Sequence, residues 1–158
     1  MNRGIKIFMV ISIAVIYTVL TLLSKALGLS IGGVEFRVSE VLCILPMFTS
    51  LAVPGLCIGC ALSNLVVGSA PLDILFGAIA TVLGAVGTYN YRYHRWIAPI
   101  FPVISNMFFI PIILRCIYDY GQNYFLLVLF VGLGEFLCAY ILGQLWYNLL
   151  IKDHEIED

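Results

Sequence analysis

Glu40 stands at the head of one long apolar run of the chain and Glu135 within another. A carboxylate taken out of water is costly unless it meets a cation or hydrogen-bond donors, so each points to a ligand or an ion pair. Asn64 and Asn106 are set into apolar runs, while Arg37, Ser39, Asp73 and Asn123 stand at the edges of such runs or in the loops beside them. A carboxylate accepts paired donors, a guanidinium donates in a planar fork, and an amide does both. Plainer readings stand beside a ligand site. Arg37 and Glu40 can pair one helical turn apart, and Asp73 can complement a helix start. Asn64 and Asn106 can join helices at about 1 kcal/mol each, and Lys25, Glu35 and Arg37 can be solvated interfacial charges. Cys57 and Cys60 have C-x-x-C spacing. They lack a second pair or neighbouring His, and read as small buried hydrophobes. No metal or cofactor is expected. No Ser/His/Asp set or His-rich cluster suggests an enzyme, and none is expected.

The elements that must position these groups are membrane helices. The 158 residues are 62% hydrophobic and 11% charged, whereas a soluble domain carries roughly 25% charged residues. The composition therefore predicts an all-α integral membrane protein, one membrane domain over 1–158. Apolar runs broken by Gly, Pro and charge predict helices near 5–27, 40–52, 54–67, 73–88, 97–117 and 124–151. The second and third come from one long run, Val41 to Val67, which reads either as one long kinked helix or as two short ones with a tight turn at Ala52 to Gly55. No Gly-rich loop followed by Lys-Ser or Lys-Thr is present. ATP-driven uptake would need another chain as its motor.

Charge bias selects six spans over five. With both termini in the cytoplasm, Arg3, Lys6, Arg92, Arg95 and Lys152 fall inside and Lys25, Arg37 and Arg115 outside. That is the bias that the positive-inside rule expects. The second and third helices are then about 13 residues, roughly 20 Å, short for a core about 30 Å thick. In this topology Arg37, Ser39, Glu40, Asn64, Asp73, Asn106, Asn123 and Glu135 lie in the outer half or at the midplane. A pocket open to the outside follows. Ala14 and Thr18 have small-x-x-x-small spacing on the first helix, which lets another helix approach closely.

Glu35-Phe36-Arg37-Val38-Ser39-Glu40 leads into Leu-Pro-Met-Phe-Thr, then Val-Pro-Gly-Leu-x-Ile-Gly-Cys-x-Leu-x-Asn-Leu, then Leu-Asp-Ile-Leu-Phe-Gly-Ala-Ile-Ala-Thr. These segments resemble the QueT family, substrate-binding S components of energy-coupling factor (ECF) transporters. The phrase Phe-Arg-Val-Ser-Glu is the distinctive part, and Glu35 stands where the family carries Gln. The resemblance implies a six-helix bundle of the S-component type that captures queuosine precursors, the 7-deazaguanines. It also implies docking, through Ala14 and Thr18, onto a transmembrane coupling subunit with two ATPase subunits. The expected substrate-binding residues are Phe36, Arg37, Glu40, Asn64, Asp73, Asn106, Tyr124 and Glu135. Glu40 or Glu135 would read the guanine edge, Asn64, Asn106 or Arg37 would reach O6, and Asp73 the far side. Phe36 and Tyr124 would stack on the ring. An S component for another vitamin or base is the alternative. So is a stand-alone ion-coupled transporter, though no internal repeat of the kind common in such proteins is found.

Overall fold

The computed structural model describes residues 2–31, 34–119 and 121–156, with side chains described outside 30–35 and 152–156. Helix α1 spans Arg3–Ala26, 24 residues, about 36 Å at 1.5 Å per residue. It turns Ile13, Ala14, Tyr17, Thr21 and Ser24 inward, the three-to-four spacing of one helical stripe. Phe8, Ile11, Val15 and Val19 face outward and are exposed. Gly28 ends the helix with φ +65°. Its N–H donates to the Lys25 carbonyl at 3.0 Å, and that of Leu29 to the Ser24 carbonyl at 3.1 Å. This is a Schellman closure, and the left-handed residue it needs is most cheaply glycine. A two-residue antiparallel ladder, β1 (Ser30–Ile31) with β2 (Val34–Glu35), follows.

Residues Val38–Met47 form a ten-residue 3-10 helix, where the run of apolar residues predicts an α-helix over 40–52. At about 2.0 Å per residue it is stretched, and side chains three apart eclipse. Two causes are visible. The start of the segment is tied to α1, and Pro46 inside it removes a backbone donor and blocks an α-helical continuation. The turn falls at 48–51, where Leu51 N–H donates to Thr49 Oγ1 at 3.3 Å. It does not fall at Ala52 to Gly55. Those residues open α2 (Ala52–Val66), with Pro54 in the first turn, where a missing N–H costs little.

Helices α1 and α2 meet closely. A Cβ at Gly55 would stand 2.9 Å from Ile13 Cβ, and one at Gly59 2.8 Å from Tyr17 Cβ. Thr18 Oγ1 donates to the Ala14 carbonyl at 2.8 Å and reaches the Gly59 carbonyl at 3.3 Å. The small-residue spacing of Ala14 and Thr18 is thus used within the chain. Ala14 is 3% exposed, and its backbone faces α2 at Gly59.

Helix α3 spans Pro71–Asn90 and α4 Ile100–Cys116. The second begins later than the expected 97, because residues 95–99 are turn. Gly84 and Gly87 let the two helices touch: a Cβ at Gly84 would lie 2.8 Å from Pro102 Cα. Thr88 Oγ1 donates to the Ala98 carbonyl at 3.1 Å, and Ser105 Oγ to the Ala80 carbonyl at 2.7 Å. The last rod is α5 (Tyr124–Glu135), a π-helical segment (Phe136–Leu142) and α6 (Gly143–Ile156). Asn123 caps it, accepting from Phe125 N–H at 3.0 Å.

Among the described residues, three helices are long and apolar enough to cross a membrane: Arg3–Ala26, Pro71–Asn90 and Tyr124–Ile151. Val38–Met47, Ala52–Val66 and Ile100–Cys116 are shorter apolar helices. Large apolar side chains cover the outside of the bundle, as a bilayer requires. At one end, Arg92 lies over the rings of Tyr89 and Tyr93, and Arg95 over those of Trp96 and Tyr147. Such pairs of cation and amphipathic ring belong at a membrane interface.

Candidate functional site

The site is built at the opposite end, from five elements. Arg37 and Glu40 come from the start of the 3-10 helix, Cys60 from α2, and Gly77 and Thr81 from α3. Asn106, Ile110 and Leu114 come from α4, and Val131 and Glu135 from α5. Together they enclose a chamber with about 10 Å³ free, room for about one water. Above it lies a vestibule of about 420 Å³ lined by Lys25, Arg37, Val67, Gly68, Ser69, Asp73, Ile110, Ile113, Leu114 and Tyr118. Arg37, Ile110 and Leu114 border both, so the two spaces adjoin. Glu40, Asn106 and Glu135 are each at least 94% buried, in a place where polar groups need partners.

Glu40 is held from behind. Tyr17 on α1 donates its phenolic O–H to Glu40 Oε1, and Cys43 Sγ donates to Oε2 at 3.1 Å. Residues 40 and 43 align because three-residue spacing eclipses in a 3-10 helix. The same α1 stripe fixes the neighbouring backbone. Ser24 Oγ accepts from Val38 N–H at 3.0 Å, and Thr21 Oγ1 bonds Ser39 Oγ at 2.8 Å. Tyr17, Thr21 and Ser24 therefore anchor positions 40, 39 and 38 in turn. This is the structural meaning of the Val-Ser-Glu in the sequence motif.

Of the residues expected in the site, Arg37, Glu40, Asn106 and Glu135 meet in the inner chamber, and Asp73 joins the vestibule wall. Asp73 Oδ2 accepts from the Tyr118 hydroxyl at 2.7 Å, and that hydroxyl accepts from Ala70 N–H at 3.1 Å. Asn64 lies one layer out, its amide 3.0 Å from where a Gly77 Cβ would be and 3.8 Å from Cys60 Sγ. Phe36 and Tyr124 are half-buried and line neither space. The Glu35 side chain lies outside the described residues. Cys60 lines the chamber while Cys57 does not, so the C-x-x-C pair is split. No cluster able to hold a metal occurs among the described residues. Tyr17, Cys43, Thr81 and Tyr118 are the contributors that the sequence reading passes over. One signal was available: Tyr17 lies mid-span, whereas membrane tyrosines concentrate at interfaces.

The family model described as "QueT transporter" matches residues 7–152, nearly the whole chain. The chain belongs to the QueT transporter family. It is a membrane transport protein and not an enzyme. No match was found among curated proteins or solved structures.

Proposed function

We propose that this QueT protein is the substrate-binding S component of an ECF-type importer for 7-deazaguanines. One observation carries the reading: two carboxylates, a guanidinium and an amide from three separate segments share one buried chamber beneath a vestibule. A deazaguanine offers two adjacent donors, N1–H and the exocyclic amine, which a carboxylate takes as a pair. Glu40 or Glu135 takes that edge, and Arg37 or Asn106 donates to O6. A cationic aminomethyl group at the 7-position then finds the other glutamate or, toward the vestibule, Asp73. Asn64 supports the wall behind Gly77 instead of touching the ligand. ATP-driven uptake would take its motor from another chain, since no phosphate-binding loop is present. A coupling subunit with two ATPases is the proposed partner.

Calorimetric titration of the purified protein tests this. Submicromolar binding of a deazaguanine without added ions supports the reading. No binding, together with sodium- or proton-dependent flux by this chain alone in liposomes, overturns it.

The proposed orientation places both termini in the cytoplasm and the vestibule outside. Cys116 reports on it, being exposed at the end of α4 nearest Tyr118. On intact cells a membrane-impermeant maleimide should label the protein, and Cys116→Ser should remove most of the signal. Labelling that appears only after permeabilisation would invert the topology.

A further inference from the structure

We propose that Tyr17 is a positioning residue for substrate recognition, acting through Glu40; this rests on the functional reading above. Glu40 faces the chamber, whereas Tyr17 and Cys43 do not line it. Their two bonds therefore reach the carboxylate from the side away from the ligand space. Each carboxylate oxygen has two lone pairs. With one on each oxygen taken from behind, one on each remains for the chamber. The plane of the carboxylate is fixed, and what it offers inward is a matched pair of acceptors. That is the complement of two adjacent donors on a planar ring.

Tyr17 is itself immobilised. It is 0% exposed, and its Cβ packs where any side chain at residue 59 would collide, 2.8 Å away. The bonds from Thr21 and Ser24 to residues 39 and 38 set the backbone that carries Glu40. One stripe of α1 thus places both ends of the glutamate side chain, although no α1 residue lines the inner chamber. A tyrosine present only to satisfy a buried carboxylate would explain the hydrogen bond too. The two roles differ in what happens to discrimination between ligands.

The experiment uses the full chain in detergent and two probes, 7-aminomethyl-7-deazaguanine and the analogue lacking the exocyclic amine. Wild type should prefer the first by at least about tenfold, the effect of one lost hydrogen bond to a charged group. Tyr17→Phe should weaken the first about tenfold and bring the ratio of the two affinities toward one. Equal weakening of both, with the ratio kept, would show a structural role and overturn the proposal; so would no change. If Tyr17→Phe fails to fold, Cys43→Ala frees the other oxygen, and an unchanged ratio there overturns it equally. Wild type binding neither probe removes the functional reading and this inference together. A wild-type preference that survives both substitutions removes this inference alone.

Discussion

Glu40→Gln and Glu135→Gln should each weaken deazaguanine binding by about two orders of magnitude. Both side chains are buried and line the same small chamber. An amide in place of a carboxylate turns one acceptor into a donor, so a ligand donor then faces N–H instead of oxygen. Breaking a buried, charge-assisted pair costs roughly 2–5 kcal/mol. A value near 3 kcal/mol corresponds to about a hundredfold at 1.4 kcal/mol per decade. Mere loss of a surface charge would change affinity less than threefold, at about 0.5 kcal/mol. The two variants should differ in stability. Glu40→Gln keeps one oxygen for the Tyr17 hydroxyl but sets the other end against Cys43, so its melting temperature should fall as well. Calorimetry gives the affinities and a melt gives the stability. If both variants bind as wild type does, the chamber is not the site.

The second large effect lies away from any charge. Gly84→Ala should destabilise the protein by about 3 kcal/mol, near the upper end of overpacking costs. Alanine is a better helix former than glycine by about 1 kcal/mol, so propensity alone predicts the opposite sign. Contact geometry decides. The new Cβ would lie 2.8 Å from Pro102 Cα and 3.2 Å from Pro102 N, and backbone cannot rotate aside as a side chain can. Helix α4 must move off α3, straining the bonds from Ser105 to the Ala80 carbonyl and from Thr88 to the Ala98 carbonyl. It also carries Asn106, Ile110 and Leu114 out of the chamber wall. At about 2–4 °C per kcal/mol for a chain of this size, the melting temperature should drop by roughly 6–12 °C. Gly4→Ala is the control: nothing lies within 4 Å of its added Cβ. An unchanged Gly84→Ala melt would mean that the α3–α4 contact is looser than described.

Hydropathy and charge made the helical rods and their breaks legible, because removing backbone polar groups from water leaves few alternatives to a helix. The cost of burying charge made Glu40, Glu135 and Asn106 stand out, and the structure brings them together with Arg37. Other features left no mark on composition. An apolar run reads the same as α-helix or 3-10 helix, so the form of Val38–Met47 was hidden. The π segment after Glu135 changes the winding with ordinary Leu, Ala and Tyr. Ala14 and Thr18 announced a close neighbour without saying which, and it is α2. Phe36 adjoins Arg37 in sequence but lines neither space, since chain proximity does not carry a side chain into a site. Tyr17 was missed because its partner lies 23 residues away.

The inner chamber leaves about 10 Å³ free, far less than a fused bicyclic base needs. If the chamber is the site, as proposed, such a base enters only when the chamber walls move. A solute can first lodge in the 420 Å³ vestibule, and only then can the walls part beside Arg37 to admit it. The first step depends on solute concentration and the second does not. Association should thus level off at high concentration and run slower than diffusion allows. The walls that yield on the way in must yield again on the way out, so tight holding and slow release would share one origin.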